Sequence, residues 1–299
     1  MNGIIIVNKE KGFTSHDVVA KLRGILHFKK IGHTGTLDPD ATGVLPVCVG
    51  KATKVCDLLT EKDKTYVAVV KLGVTTDTLD LTGEVQSTSP VSVTEEQLGA
   101  VLEEFTGEIE QIPPMYSAIK VNGKRLYELA RQGKEVERRA RKVVVHELVL
   151  KETALQRDEF TIEVTCSKGT YIRSLCHDIG QRLGCGAAMK SLVRTRVGRY
   201  SLSDAMTLAE IEERVKALPS GGEELLMSVD SAFSQYGSCH VSEKGMKFLQ
   251  NGNMVSSRFC QYVPLDGETV RMYGSDGEFY AIYRYEKKDA MYHIIKMFH

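Results

Sequence analysis

Several signatures that would narrow this protein's function at once are missing. No stretch of the 299 residues approaches the roughly 18 consecutive apolar residues of a membrane-spanning helix. The first apolar run, Ile4-Ile5-Ile6-Val7, gives way to Lys9, Glu10 and Lys11, so it reads as a strand and not as a secretory signal. The seven cysteines (Cys48, Cys56, Cys166, Cys176, Cys185, Cys239 and Cys260) form no CxxC pair. That excludes the usual zinc spacing and a disulfide framework, and implies free thiols in a reducing cytoplasm. There is no net charge, because 39 Lys and Arg balance 39 Asp and Glu. Repeats and low-complexity tracts are absent too. What remains is 42% apolar and 26% charged, ordinary for a globular chain with room for one large domain, or a large one and a small one.

Charge neutrality hides strong patterning. Residues 91–119 hold six glutamates and no Lys or Arg. Residues 120–142 hold nine basic and three acidic residues, and residues 168–199 hold seven basic residues against Asp178 alone. Two basic blocks in a neutral protein suggest one positive face, which is the electrostatic footprint of a nucleic-acid partner. Two separate solvated surfaces are the competing reading.

Periodicity gives the main elements. Strands are expected at 3–7, 44–49, 65–72, 143–150 and 160–166 from their apolar and β-branched content. Thr14 and Ser15 offer N-caps to a helix with Val18, Val19, Leu22 and Leu26 on one face. A short helix is read at 52–59. Thr94 with Gln97 makes a capping box before Leu98, Val101, Leu102 and Phe105. Helices are also read at 169–183, ended by Gly184, and at 207–215. Residues 75–83 read as a polar loop. Residues 112–118 are extended, since each residue before a proline is pushed out of the α region. The basic block at 120–142 has helical spacing only at 126–132 and reads as an insertion that a partner would order. A linker-like break falls at 219–222. Asp276-Gly277 is the turn of a hairpin between 270–273 and 279–285, with a last strand at 292–298. Residues 1–232 therefore read as an α+β domain and residues 233–299 as a small β-rich one.

The stretch Gly32-His33-Thr34-Gly35-Thr36-Leu37-Asp38-Pro39-Asp40-Ala41-Thr42-Gly43 concentrates three glycines and a proline between apolar segments. Such a loop has a tightly specified backbone. Asp38 at its centre is a cap, a metal ligand or a reagent. Calcium fails, because the twelfth position from Asp38 is Val49, where a bidentate Glu is required. A phosphate loop fails too, because Gly50-Lys51 is followed by Ala52. A carboxylate nucleophile needs a nearby cation to keep its pKa low. His33, Lys64, Lys168 and Arg173 are the candidates. A carboxylate hydrolase would need a second acid, which Asp77 or Asp80 would supply.

Five ordered blocks carry a resemblance that spans nearly the whole chain. KxxGFTSHDVV precedes GHTGTLDPDATGVLPVCVG, and Lys64-Thr65-Tyr66 follows with LGVTTDTLDLTGEV. Then come IPPMYSAIKVNGKRLYELARQG and CSKGTYIRSLCHDIGQRLGCGA, and after them Leu192, Arg194 and Gly198. Together they resemble the TruB family of pseudouridine synthases, with Glu10 standing where the family usually has proline. The resemblance implies a pseudouridine synthase fold: a mixed, largely antiparallel central sheet flanked by helices and loops, with a PUA-like RNA-binding domain at 233–299. It implies isomerisation of uridine 55 in the T loop of tRNA, without cofactor or metal, by a cytoplasmic monomer that needs no protein partner. By the family pattern Asp38 is the nucleophile and Arg173 its ion-pair partner. Tyr66 stacks on the base and is available for proton transfer, Tyr171 and Leu192 line the uracil pocket, and His33 contacts the opened loop. Lys120, Lys124, Arg125, Arg131 and Lys168 are the expected contacts to the RNA backbone.

Overall fold

A computed structural model describes residues 1–121, 123–219 and 221–299. Asn122, inside the expected insertion, and Ser220, inside the expected break, lie outside the described residues. The chain opens with strand β1 (Gly3–Lys9), helix α1 (Ser15–Ile25), β2 (Ile31–His33) and β3 (Thr42–Val49). A 3-10 turn (Gly50–Val55) leads into α2 (Cys56–Thr60), then β4 (Lys64–Leu72) and the hairpin β5 (Val74–Thr76) and β6 (Val85–Thr88). Helix α3 (Glu95–Glu104) and β7 (Gly107–Gln111) precede a second small hairpin, β8 (Lys120–Val121) and β9 (Lys124–Arg125), with α4 (Leu126–Ala130). Next come β10 (Arg141–Ala154), β11 (Glu159–Cys166), α5 (Ile172–Arg182), β12 (Ala187–Val197), β13 (Tyr200–Ser201) and α6 (Leu208–Ala217). The remainder holds β14 (Gly237–His240), α7 (Glu243–Gln250), β15 (Val255–Ser256), β16 (Thr269–Tyr273), β17 (Phe279–Glu286) and β18 (Met291–Met297).

Among the described residues the first sheet has nine strands in the order β1-β3-β12-β4-β11-β10-β7, with β2 on β3 and β13 on β12. Only β3 and β12 run parallel. It is the mixed, largely antiparallel sheet that the sequence implied. Strand β3 is buried on both faces. Leu45, Val47 and Val49 meet Val18, Val19 and Leu22 of α1 and Leu208 and Ile211 of α6, whereas Val44 and Cys48 face Phe233, Ile282 and Phe298. Each such side chain contributes about 1.5–3 kcal/mol of burial. Helix α1 starts where Thr14 and Asp17 exchange side-chain and backbone hydrogen bonds (3.1 and 2.8 Å), and α3 starts at the expected Thr94–Gln97 box. Helices α3 and α5 cover the face of β4 and β11 that carries Tyr66, Ala68, Ile162 and Val164.

Among the elements that differ from the sequence reading, four bear on the candidate site. Strand β12, central to the sheet, carries Lys190, Arg194 and Arg196 and two bulges, which scramble its alternation. Helix α5 begins at Ile172 and not at Gly169, because Gly169 adopts a left-handed φ of +79° that belongs to a turn. The polar loop at 75–83 is the connection of the β5–β6 hairpin. The basic insertion is built as a hairpin and one helix, anchored by fully buried Leu126. The C-terminal sheet has five strands in the order β14-β16-β17-β18-β15. Its β16–β17 hairpin turns at Gly274–Gly277, as the Asp276-Gly277 pair predicted.

Candidate active site

The Asp38 loop joins β2 to β3 and is fixed by backbone hydrogen bonds at several of its peptides. Thr34 N–H donates to Pro46 O (3.1 Å) and Leu37 N–H to Ser15 Oγ (2.9 Å). Pro39 O accepts from Gly12 N–H (2.9 Å) and from the Lys9 ammonium (3.1 Å). Ala41 N–H closes a turn on Asp38 O (3.1 Å), with Pro39 at the position where its fixed φ fits. At the end of the loop Gly43 has φ +105°, and a Cβ there would lie 2.2 Å from Arg194 O. Only glycine lets β3 and β12 approach so closely. The Asp38 side chain leaves this frame pointing at Arg173, and 41% of it stays accessible.

Arg173, the second residue of α5, is 6% exposed and uses its whole guanidinium. Nε lies 3.0 Å from Asp38 Oδ2, and Nη2 lies 3.3 Å from Oδ1. Nη1 donates to Thr78 O (2.9 Å) and Nη2 also to Tyr116 O (2.8 Å). Asp80 Oδ2 stands 3.8 Å from Nε. One arginine therefore joins the Asp38 loop, the β5–β6 connection and the base of the insertion. Leu79 in that connection holds a left-handed φ of 63°, a conformation costing about 1–3 kcal/mol for a bulky residue. Asp80 Oδ1 braces the strained turn by accepting from Thr78 Oγ1 (2.8 Å) and Thr82 N–H (3.0 Å).

The cation expected to lower the Asp38 pKa is present, yet the shift runs the other way. Protein packed around the inner side of the carboxyl raises its pKa, Arg173 opposes that, and the negative charge of Asp80 adds to the rise. Of the four candidate cations, Arg173 alone forms an ion pair with Asp38 among the described residues. Lys64 donates to Thr60 O (2.8 Å) and Lys62 O (2.5 Å), and exposed Lys168 pairs with Glu61.

The chain that carries this clamped carboxylate and buried arginine is similar to known proteins. A model described as TruB family pseudouridylate synthase (N terminal domain) matches residues 23–172, and one described as tRNA pseudouridylate synthase B C-terminal domain matches residues 173–234. The chain belongs to the TruB family of pseudouridylate synthases. It is therefore a member of a family of isomerases. It is 54% identical to the tRNA pseudouridine synthase B of Lachnoclostridium phytofermentans, over 100% of both chains. Identity to the protein of the same name from Bacillus cytotoxicus is 44%, over 96% of this chain and 94% of that one. Among solved structures, a chain of a Cbf5-Nop10-Gar1 complex superposes with a TM-score of 0.76 at 27% identity, covering 99% of this chain and 85% of that one. The two family models meet between Ile172 and Arg173, inside the first turn of α5, so their boundary is not a structural one.

In this TruB-family chain the other expected residues fall as follows. Tyr66 on β4 and Leu192 on β12 are buried in one apolar cluster with Leu37, Ala41 and Ile172, beside Asp38 in the chain or on α5. Tyr171 is the residue before α5, and the Gln111 amide grips its backbone from both sides: Tyr171 N–H donates to Oε1 (2.7 Å) and Nε2 donates to Tyr171 O (3.0 Å). Burial raises the pKa of its phenol, while Ser117 and Arg141 oppose the rise. Lys120, Lys124 and Arg125 lie on the β8–β9 hairpin, and Arg131 follows α4. Arg125 and Arg131 flank the Tyr127 ring at 5.8 and 5.5 Å. Sequence reading did not find the roles of Lys9, Ser15, Gln111 and Asp80. The signal for Lys9 was present: it is a charged residue at the end of a buried strand, and its ammonium reaches the carbonyls of Glu10, Phe13 and Pro39. Burial pushes its pKa down to about 8.

His33 ends β2, its ring edge-on to His16 at 5.1 Å. Among the described residues its buried Nδ1 meets no partner at full hydrogen-bond geometry. Burial, helped by His16 and Arg194, pushes its pKa from 6.5 down to about 4. The unfolded chain thus takes up this proton first, so the stability due to neutral His33 is present above pH 6.5 and is lost as pH falls toward about 4. His33→Gln is expected to flatten the dependence of the urea midpoint on pH across that window. Parallel midpoints for parent and variant at both ends of the window measure it.

Proposed function

We propose that this chain converts uridine 55 in the T stem-loop of tRNA to pseudouridine, with Asp38 as nucleophile. The observation that carries the reading is the Asp38 carboxylate held through both oxygens by a buried, fully engaged Arg173. The names and full-length similarity of the relatives support tRNA as the substrate. The reaction breaks N1–C1′, turns the uracil and forms C5–C1′. It conserves every atom of the nucleoside apart from exchange of one proton, so its chemistry calls for no cofactor, ATP or metal.

A base inside a folded loop is inaccessible, and flipping it out costs a few kcal/mol. In this reading Tyr66 stacks on the flipped base, Leu192 and Tyr171 close the pocket, and His33 holds the opened loop. Residues 119–142 close over the RNA, with Lys120, Lys124, Arg125 and Arg131 on phosphates and Lys168 nearby. Residues 233–299 form a second, PUA-like RNA-contacting domain behind a catalytic domain of residues 1–232. The enzyme works as a cytoplasmic monomer without a protein partner. Incubation with an unmodified tRNA transcript and with the isolated stem-loop, followed by pseudouridine mapping, tests this. One pseudouridine at position 55 in both is expected. Modification elsewhere, or only with a guide RNA added, overturns it.

A further inference from the structure

Arg194 heads the fully buried side chains by size, at 1% exposure. No carboxylate forms an ion pair with it among the described residues, and the one acidic group that acts on it is the Tyr66 phenol. An unpaired buried guanidinium costs several kcal/mol, a cost that an apolar side chain at this site would avoid. Part of its work is structural: Nε donates to Val44 O (2.8 Å) and Nη2 to Gly35 O (3.3 Å), one carbonyl on each side of the Asp38 loop. The rest is directed at Tyr66, which stands opposite Arg194 in the β4–β12 register, so that the two side chains leave the same face of the sheet and the guanidinium charge acts on the phenol. Arginine has only donors, so toward this cation the phenol presents its oxygen and not its hydrogen.

The isomerisation proposed above removes a proton from C5, and a base must receive it. This inference rests on that reading. Arg173, Arg194 and the buried ammonium of Lys9 are donors. Tyr66 is the group beside Asp38 with a fixed cation behind its oxygen. We propose that Arg194 is a positioning residue for Tyr66: it holds the phenol oxygen in place and is the counter-charge that lets this oxygen take the C5 proton. Tyr66 acts in that step as the phenolate, its own proton having first gone to solvent: the C5–H bond breaks, its electron pair stays in the uracil ring, and the proton ends on the Tyr66 oxygen, giving a neutral phenol that loses it to solvent before the next turnover.

The groups facing the phenol are Arg194 from β12, Cys166 from β11 and Asp38 from the loop. Burial raises the phenol pKa, as do Cys166 and Asp38, and Arg194 opposes them. Arg194 is faced in turn by Lys9 of β1, His33 of β2 and Lys64 of β4. The test is single-turnover release of tritium from C5-labelled uridine in a T stem-loop RNA, between about pH 6 and 9.5, with thermal unfolding of each variant. Arg194→Gln is expected to move the rising limb of the profile up by at least about one pH unit, a loss of roughly tenfold at neutral pH that is regained in base. Arg194→Lys keeps the charge, so its limb stays within about half a unit of the parent's while the plateau falls. A loss in the Gln variant that is uniform with pH overturns the proposal. If that variant does not fold, the Lys variant decides: a limb displaced by about a unit or more overturns it. Release by the parent with an unshifted Gln limb overturns the inference alone, whereas no release by the parent at any pH overturns the tRNA reading as well.

Discussion

Asp38→Asn is expected to abolish tritium release from C5-labelled uridine in a T stem-loop, a fall of about 10⁴-fold or more. Removing the nucleophile of a well-assembled site costs on that order, because the remaining groups only bind and orient. Asn fills the same volume and its carbonyl still accepts one hydrogen bond from Arg173, but an amide oxygen does not attack carbon. The loop does not depend on the carboxylate for its shape. Leu37, Pro39 and Ala41 are held by Ser15, by Gly12 with Lys9, and by the Asp38 backbone. The exposed part of the side chain keeps the stability cost near 1 kcal/mol, and Asp80 at 3.8 Å still faces Arg173. RNA binding and the thermal midpoint should therefore stay close to the parent's. An Asn variant that keeps a tenth of the rate would show that Asp38 is not the nucleophile, and one that no longer binds RNA would show that the carboxylate is structural.

The contrast between what Asp38 and Arg194 show in sequence explains how far the chain could be read. Local chemistry was legible. The capping residues Thr14 and Thr94, the Asp276-Gly277 turn and the apolar faces of α1 and β4 each depend on neighbours a few positions away. The Asp38 loop was legible for the same reason, since the glycines and proline that hold it surround it in the chain, whereas the role of Asp38 as nucleophile was implied only by the family resemblance. Arg173 was legible only through its motif, and three of its four partners were not: Thr78 O, Tyr116 O and Asp80 lie in segments that show no sign of meeting it. Strand β12 was missed because a buried charge and two bulges break its pattern. Arg194 occupies an inward position that alternation reserves for an apolar side chain, and the bulge between Arg194 and Arg196 shifts the register after it. The direction of the Asp38 pKa shift was also beyond reach, because it depends on the balance between packing and one cation and not on the cation's presence.

Arg173→Lys is expected to lower the single-turnover rate by about 10²–10⁴-fold while leaving RNA affinity within a few fold. A lysine at this position keeps the positive charge but has one donor atom where arginine has three. It cannot span Asp38, Thr78 O and Tyr116 O together, whose contacts to Arg173 fall between 2.8 and 3.3 Å. Losing two charge-assisted hydrogen bonds costs about 3–6 kcal/mol, and each 1.36 kcal/mol is worth roughly tenfold in rate when it falls on the reacting geometry. Part of the loss falls on stability instead, because the freed Thr78 and Tyr116 carbonyls belong to two segments that Arg173 ties to the Asp38 loop. The split is measurable. If Arg173 serves mainly to orient Asp38, the rate falls far more than the thermal midpoint suggests, and lowering the pH protonates Asp38 in the variant earlier than in the parent, since a weaker cation contact leaves burial less opposed. If it serves mainly as a strut, rate and midpoint fall together, and the acid limb of the rate profile stays where the parent has it. Rates across the acid limb for parent, Arg173→Lys and Asp80→Asn separate the two. Asp80→Asn removes the charge that raises the Asp38 pKa while keeping the Asx turn's acceptor, so its acid limb is expected to move down as that of Arg173→Lys moves up.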